Sequence, residues 1–262
     1  MKNLKKILCA VLIGAMVTAC FAACGSSKSD SSSSSDSSSS SDDTLIMATN
    51  ATFPPYEYVE NNDYKGIDVE IAQAIADKLG KKLEIKDVEF GSIISGVQSG
   101  KYDIGMAGIT VTDERKQSVN FSDSYATAIQ SIIVTGDSPI KSPDDLTSDT
   151  KIGVQQDTTG DIYASEDYGD DAVVRYNKGA DAISALLSGK VDCVIIDNEP
   201  AKAFVAANDG LKILDSAYAE EEYAIAVNKD DTELLNQINQ ALSELKEDGT
   251  IDQIVSKYIT NE

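Results

Sequence analysis

The chain has 262 residues, contains no histidine or tryptophan, and carries a formal net charge of −22 at pH 7. The lack of histidine excludes Ser-His-Asp and Cys-His catalytic groups and histidine-ligated metal sites. The acidic balance excludes nucleic-acid binding, because phosphate contacts need a basic face. We therefore expect binding rather than catalysis, with no metal and no cofactor.

The first 23 residues have the features of a secretion signal. Three lysines precede an apolar run at 7–21, which is too short to span a bilayer comfortably. A cysteine after small residues at the end of such a run resembles the lipid attachment site of bacterial lipoproteins, and Cys20 and Cys24 both qualify. We favour a signal peptide at 1–23 and a lipid on Cys24, because a polar tract follows it. The alternative is an ordinary cleaved signal with incidental cysteines.

Residues 24–43 are expected to be a flexible tether between this anchor and a folded domain. From residue 26 onward the segment is almost entirely serine and aspartate, and no core forms from that composition. Cys193, which lies in an apolar strand, would then be the only cysteine after the lipidated one. We therefore expect no disulfide.

The remainder, residues 44–262, is predicted to alternate strands and helices. The predicted strands are 44–49, 83–88, 104–107, 128–134, 151–154, 173–176, 191–196 and 224–227. The predicted helices are 66–79, 92–98, 161–165, 180–188, 200–207, 231–246 and 251–258. This alternation predicts an α/β fold with mostly parallel sheets covered by helices on both faces.

One helix–strand unit occurs twice, at 94–108 and at 183–197. Each copy has the end of an amphipathic helix, a glycine that stops it, and a short apolar strand. Ligands bind beyond the carboxyl ends of strands in open α/β sheets, so we expect the two strand ends, Gly108 and Asp197, to face each other across a cleft. The alternative is chance similarity, since Ser-Gly-Lys is a common turn.

The repeat implies two lobes, and the chain is expected to cross between them twice. The crossings are predicted near residues 126–130 and 222–226. Lobe 1 would comprise 44–127 plus 226–262, and lobe 2 would comprise 128–225. The two crossing strands would act as a hinge.

Arg115 and Asp197 are the charged candidates for a binding site. Only two of the 22 basic residues are arginine, the side chain suited to bidentate carboxylate recognition. The alternative for Arg115 is an exposed position in a turn capped by Thr112, and for Asp197 it is the N-cap of the next helix. Opposite charges on facing walls would suit a zwitterion such as an α-amino acid.

Uncharged residues complete the predicted site. Hydrogen bonds to the same anion are expected from the Thr110 hydroxyl, the Gly108 backbone and the helix N-terminus at Thr159. An apolar floor is expected from Phe53, Tyr56 and Phe90, with core packing as the alternative. Strand ends in opposite lobes place Asn50 and Gln155 to meet a ligand side chain.

The segments Gly66–Leu79, Asp103–Arg115 and 121–125 resemble the signature stretches of the family 3 bacterial extracellular solute-binding proteins. The resemblance covers nearly all of 44–262. It implies a type II periplasmic-binding-protein fold, with two α/β lobes that close on a ligand about a two-strand hinge. It also implies a monomeric, lipid-anchored lipoprotein outside the cell membrane that delivers a polar L-amino acid to an ABC permease.

The same resemblance assigns roles to the candidate residues. The α-carboxylate would be held by Arg115, Gly108, Thr110 and Thr159, the α-amino group by Asp197, and the side chain by Phe53 and Phe90. Asn50 stands where several relatives have Asp, and Gln155 where a glutamine-binding relative has Lys, so side-chain specificity stays open. Asp68 or Glu57 is the alternative partner for a cationic side chain.

Two other function classes stay open. The same architecture hosts dehydratases, for which Glu57 is the nearest candidate acid. A ligand-sensing protein acting on a receptor is the other.

Overall fold

The structure, a computed structural model, describes residues 43–259. The predicted signal peptide and Cys24 lie outside this range, as does all but the last residue of the predicted tether. None of the helices within the range is long and apolar enough to cross a membrane.

Every predicted strand and helix of the folded region has a counterpart in the structure. The strands are β1 (Thr44–Thr49), β2 (Thr52–Phe53), β3 (Glu57–Glu60), β4 (Asp63–Lys65), β5 (Lys82–Asp87), β6 (Ile104–Gly105), β7 (Val119–Phe121), β8 (Ala126–Thr135), β9 (Ile152–Gln155), β10 (Val173–Tyr176), β11 (Cys193–Asp197), β12 (Leu211–Ile213), β13 (Ala219–Tyr223) and β14 (Ala226–Asn228). The helices are α1 (Ile67–Lys78), α2 (Ile93–Gln98), α3 (Thr159–Tyr168), α4 (Gly179–Leu187), α5 (Asn198–Ala207), α6 (Thr232–Glu247) and α7 (Thr250–Tyr258). The sequence patterns missed six strands, namely β2, β3, β4, β7, β12 and β13.

Two larger sheets and one small sheet make up the fold. The first sheet has the order β5-β1-β6-β14-β7, and the second has the order β10-β9-β11-β8-β12 with β13 also paired to β8. The small sheet is β2-β3-β4. The equivalent order of the two larger sheets gives two α/β lobes, as the resemblance implies.

The expectation of mostly parallel sheets was wrong, because both larger sheets are mixed. In the first sheet, β1 runs parallel to β5 and β6, whereas β14 runs antiparallel to β6 and β7. In the second, β9 runs parallel to β10 and β11, whereas β8 runs antiparallel to β11, β12 and β13. The antiparallel pairings involve the strands next to the chain crossings.

The hinge consists of β8 and β13, which pair antiparallel with Ala126 opposite Tyr223. The chain leaves the first sheet after β7 and returns to it at β14. We propose that the lobes divide as the sequence predicts, at 44–127 plus 226–262 and at 128–225.

The two copies of the repeat form the same hydrogen bonds. Asp103 Oδ2 accepts the backbone N–H of Ile46 at 2.7 Å, and Asp192 Oδ2 accepts that of Lys151 at 2.8 Å. Both helices end before a glycine with positive φ, 72° in the first copy and 67° in the second. The repeat is therefore a repeat of structure as well as of sequence.

Helix α1 connects the core of the first lobe to the cleft. Its residues Ile67, Ile71 and Ile75 are fully buried, as the spacing of apolar residues predicts. Asp68, in the first turn, is also fully buried and accepts the backbone N–H of Gly108 at 2.9 Å. Core packing of α1 thus fixes the end of the first repeat strand.

Candidate functional site

A cleft between the lobes brings together nine of the residues predicted to contact a ligand. These are Asn50, Phe53, Phe90, Gly108, Thr110, Arg115, Gln155, Thr159 and Asp197. Glu57, Ala107 and Thr158 line the cleft as well.

Arg115 is buried at one side of this cleft. Its backbone N–H donates to the Thr112 hydroxyl at 3.1 Å, so the capped turn exists, but the side chain is only 8% exposed. The guanidinium donates to the carbonyl of Thr110 at 2.8 Å and, across the cleft, to that of Asp157 at 3.1 Å. It also lies over the Phe90 ring, 5.4 Å from the centroid.

The Arg115 guanidinium forms no ion pair with any carboxylate of the described residues. Burial lowers the pKa of Arg115, and the nearby charges of Glu221 and Asp197 partly offset that effect. Arginine nevertheless stays charged in proteins. A buried cation that makes two carbonyl hydrogen bonds is suited to an incoming anion.

Asp197 lies on the opposite lobe. It occupies the N-cap position of α5, but its side chain does not cap the helix and instead accepts a hydrogen bond from the Tyr223 hydroxyl. Burial and the nearby charge of Glu221 raise the pKa of Asp197 to about 7. An ammonium group would relieve both effects.

Glu221 is a residue that the sequence analysis missed. Its Oε2 accepts hydrogen bonds from the Thr110 hydroxyl and from Gln130 Nε2, both at 3.0 Å, while Oε1 has no donor among the described residues. The sequence signal that could have revealed Glu221 is the run of three glutamates that ends before Tyr223. In a strand, alternate residues share a face, and Glu221 and Tyr223 are the buried ones.

The threonines approach each other across the cleft. The hydroxyls of Thr110 and Thr159 are 3.4 Å apart. Thr159 also begins α3, and the first N–H groups of a helix have no acceptor within it. Thr158, at the N-cap, donates its hydroxyl to the Gln155 carbonyl at 2.8 Å and does not cap these N–H groups.

Gly108 requires a correction in detail. Its N–H donates to Asp68, so in this structure the amide is not free to donate to an anion as the sequence analysis expected. The backbone has φ 53°, and a Cβ there would lie 3.2 Å from Phe53 and 3.3 Å from Tyr223. Glycine is thus favoured both by conformation and by close packing.

The predicted aromatic floor is only partly present. Phe53 and Phe90 line the cleft, whereas Tyr56 does not. Tyr56 packs edge-on against Tyr223, with ring centroids 5.1 Å apart, and is 3% exposed. Core packing, the alternative considered for Tyr56, is what the structure shows.

Asn50 and Gln155 meet each other directly. Gln155 Nε2 donates to Asn50 Oδ1 at 3.0 Å, and Asn50 Nδ2 donates to the Val88 carbonyl at 2.7 Å. The Thr52 hydroxyl donates to the same Asn50 oxygen at 3.0 Å. This pair joins the lobes where the sequence placed the two side chains.

Glu57 lines the cleft and is 1% exposed. Burial, together with the nearby charge of Asp68, raises the pKa of Glu57 well above its ordinary value. Burial also raises the pKa of Asp68 to about 6, although hydrogen bonds from the Gly108 amide and the Tyr125 hydroxyl act in the opposite direction. The cleft is therefore lined by a second buried carboxyl group, that of Glu57, besides Asp197.

Comparisons with known proteins agree with this architecture. The sequence profile of the bacterial extracellular solute-binding proteins, family 3, matches residues 45–261. The arginine-binding extracellular protein ArtP of Bacillus subtilis (strain 168) is 35% identical over 258 residues, 96% of this chain and 97% of that protein.

Two solved structures of an ancestral arginine-binding protein are similar to the chain as well. The one bound to glutamine is 42% identical with a TM-score of 0.79, covering 84% of this chain and 99% of that one. The one bound to arginine is 43% identical with a TM-score of 0.79, covering 83% and 98%.

Proposed function

The chain belongs to the bacterial extracellular solute-binding proteins, family 3, and we propose that its cleft captures a polar L-amino acid for the permease of an ABC importer. One observation carries the proposal. Arg115, which is buried and forms no ion pair within residues 43–259, and Asp197, which is buried and has a raised pKa, line the same cleft. A zwitterion supplies a counter-charge to each.

In the proposed complex, the ligand carboxylate binds the Arg115 guanidinium and accepts further hydrogen bonds from Thr110, Thr159 and the N-terminus of α3. The ligand ammonium binds Asp197 and the Gly108 carbonyl. The burial of Arg115 and Asp197 supports this pose, because desolvation strengthens charged contacts.

The ligand side chain is proposed to pack against Phe53 and Phe90. Beyond these rings it meets the amide groups of Asn50 and Gln155 and the carboxyl group of Glu57. Amides and a carboxyl group suit side chains that donate hydrogen bonds. We therefore propose an amino acid with an amide or cationic side chain, in line with the glutamine and the arginine bound to the ancestral protein.

Calorimetric titration tests this proposal. The purified protein is unfolded and refolded to remove carried-over ligand and then titrated with each of the twenty L-amino acids. We expect tight binding of one or a few that have amide or cationic side chains. Agmatine, which is arginine without its carboxylate, serves as the control and should not bind. Failure of all twenty would refute the proposal.

The extracellular location follows from the family, and we propose that a lipid on Cys24 holds the protein at the membrane surface. The support is the sequence around that residue, which lies outside the described range. Cells expressing the protein and fed labelled palmitate should label the wild type and Cys20→Ser but not Cys24→Ser. Label retained in Cys24→Ser would contradict the assignment.

A dehydratase is the second candidate, because Glu57 is a buried carboxyl group in the cleft with a raised pKa. That is the property expected of a general acid. Incubation with prephenate and with arogenate distinguishes the two. Turnover by the wild type that is abolished in Glu57→Gln would favour the enzyme. No turnover by the wild type would favour binding alone.

A further inference from the structure

Glu221 has a buried carboxyl group that no ion pair explains. The residue lies on the hinge strand β13, is 6% exposed, and forms no ion pair with a lysine or arginine of residues 43–259. Its Oε2 accepts hydrogen bonds from the Thr110 hydroxyl and from Gln130 Nε2, both at 3.0 Å. Thr110 lines the cleft, whereas Glu221 itself does not. A role of Glu221 in binding would therefore act through Thr110.

Four side chains beside the cleft form one chain of hydrogen bonds, and Glu221 ends it. Gln130 Nε2 donates to the Thr159 hydroxyl at 3.3 Å, and the hydroxyl oxygens of Thr159 and Thr110 are 3.4 Å apart. A threonine hydroxyl has a single proton. Because Thr110 donates its proton to Glu221, Thr159 is the donor in the contact between the two threonines. All protons of the chain thus point toward Glu221.

The carboxyl group of Glu221 acts as a hydrogen-bond acceptor in this arrangement. Oε2 already receives two donors, and Oε1 is buried without a hydrogen-bond partner among the described residues. A proton on Oε1 would have no acceptor, and a proton on Oε2 would compete with the two donors. The Thr110 hydroxyl is consequently held with its proton toward Glu221, which leaves its lone pairs for Thr159 and for the cleft.

The Thr110 hydroxyl lies on the same side of the cleft as the proposed ammonium position. Thr110 is directly opposite Tyr223 in an isolated antiparallel bridge, and the Tyr223 hydroxyl donates to Asp197. Directly opposite residues of an antiparallel pair project to the same face. Asp197, the Gly108 carbonyl and the Thr110 hydroxyl oxygen therefore offer three acceptors at this end of the cleft. An ammonium group has three N–H donors.

We propose, on the basis of the function proposed above, that Glu221 is a positioning residue for the ligand ammonium: it takes the Thr110 proton and so makes the Thr110 hydroxyl an acceptor in the cleft. The ammonium then donates to Thr110 as well as to Asp197 and the Gly108 carbonyl. The proton of Thr110 that remains for the ligand carboxylate is its backbone N–H. Once the ammonium donates to Thr110, the Thr159 proton is free to turn to the ligand carboxylate.

The charge of Glu221 has a separate effect that a test must hold constant. It raises the pKa of Asp197, so any neutral substitution of Glu221 also changes Asp197. Glu221→Gln and Glu221→Leu remove the same charge and are similar in size. Only the glutamine has an oxygen for the Oε2 position, where both neighbours are donors. The difference between these two variants therefore isolates the hydrogen bond from Thr110.

Titration calorimetry of the refolded full protein measures this difference, with L-glutamine, L-arginine and any other of the twenty L-amino acids that binds the wild type as probes. We expect Glu221→Leu to bind each of them about tenfold more weakly than Glu221→Gln, because it leaves the Thr110 hydroxyl without its acceptor. Equal affinities of the two variants would overturn the proposal. A wild type that binds none of the twenty amino acids would instead refute the proposed function itself.

Thr110→Val tests whether Glu221 acts through the Thr110 hydroxyl. Combined with Thr110→Val, which removes that hydroxyl, Glu221→Gln and Glu221→Leu should bind with equal affinity. A difference that persists in this background would contradict the assignment, because a merely structural role of Glu221 does not depend on the hydroxyl. Glu220→Gln and Glu220→Leu, at the exposed neighbouring position, are the matched control and should bind alike. Glu221→Ala serves if Glu221→Leu does not fold.

Discussion

At the residue scale, Arg115 and Asp197 are both buried, yet neither forms an ion pair among the described residues. Burying an unpaired charge costs stability. Such residues are therefore best explained by a partner that arrives from outside. Arg175, the other arginine, provides the contrast: it pairs with Asp161 at 2.8 Å and with Asp170 at 2.7 Å.

Arg115→Lys should weaken amino-acid binding by about 10- to 100-fold, because an ammonium cannot reproduce two parallel charged hydrogen bonds to a carboxylate. Titration calorimetry measures the loss. Arg175→Lys is the control, since it changes the same side chain outside the cleft and should leave affinity unchanged. Equal affinity in wild type and Arg115→Lys would rule out the carboxylate role.

The raised pKa values of Asp197 and Asp68, about 7 and about 6, predict how stability depends on pH. Both groups ionise near 3.8 when unfolded, so from about pH 4 to 7 the folded chain holds protons that the unfolded chain has lost. Stability of the ligand-free protein should therefore fall as pH rises through this window.

Thermal melts from pH 4 to 8 test whether stability falls as pH rises. We expect a lower melting temperature at pH 8 than at pH 5 and a flatter profile in Asp197→Asn, which removes one of the two groups. Asp113→Asn, whose side chain is 99% exposed, should retain the wild-type profile. A melting temperature that rises with pH would show that the burial of these carboxyl groups does not dominate.

At the element scale, the repeated helix–strand unit places both sides of the cleft. Each copy has a tight turn, an aspartate that holds the neighbouring chain segment, and a strand that delivers a site residue. Because both copies share this local geometry, Gly108 and Asp197 lie at equivalent strand ends. The sequence between the copies is free to differ.

Asp103→Ala and Asp192→Ala should each destabilise the protein by about 1 kcal/mol, because each removes the acceptor of a backbone N–H. The Asp103 bond is the more buried, so its loss should cost more. Chemical denaturation measures both, and the double variant should be additive, since the bonds belong to different sheets. No loss in either variant would mean that these aspartates do not support their turns.

At the scale of the whole molecule, three contacts among the described residues join the lobes across the cleft, in addition to the Thr110–Glu221 hydrogen bond. They are Gln155 with Asn50, Thr159 with Thr110, and the Asp157 carbonyl with Arg115. These contacts hold the lobes in a closed arrangement. A two-lobed binding protein couples affinity to the population of that arrangement.

Gly91 offers a steric test of closure. A Cβ at this exposed position would lie 2.1 Å from the Asp157 carboxylate of the other lobe. Gly91→Ala should therefore disfavour closure and weaken binding by about tenfold, with little change in melting temperature, because Gly91 does not line the cleft.

Asp157→Gly in the same chain should restore affinity. The substitution removes the obstructing side chain. Residue 157 has φ 64°, which suits glycine, and its backbone carbonyl still reaches Arg115. Calorimetry gives the affinities, and small-angle scattering gives the compaction on ligand binding. If Gly91→Ala binds like wild type, Asp157 moves aside and the lobes do not close as tightly as described.

The sequence by itself determined the features that depend on local pattern. Apolar periodicity predicted the regular strands and helices, the 94–108 and 183–197 repeat predicted the two lobes, and the two arginines singled out Arg115. All nine proposed contact residues line one cleft because strand ends and helix starts of an α/β fold meet at one edge.

Only the tertiary structure decided what depends on neighbours distant in the chain. Packing and strand pairing, which no local pattern specifies, produce four features that the sequence analysis did not predict. These are the antiparallel strands, the core position of Tyr56, the hydrogen bond from the Gly108 amide to Asp68, and the burial of Glu221. The same holds for the raised pKa values of Glu57 and Asp68. A carboxyl group's charge depends on burial and on the carboxyl beside it, and both are set when β3 and α1 pack together.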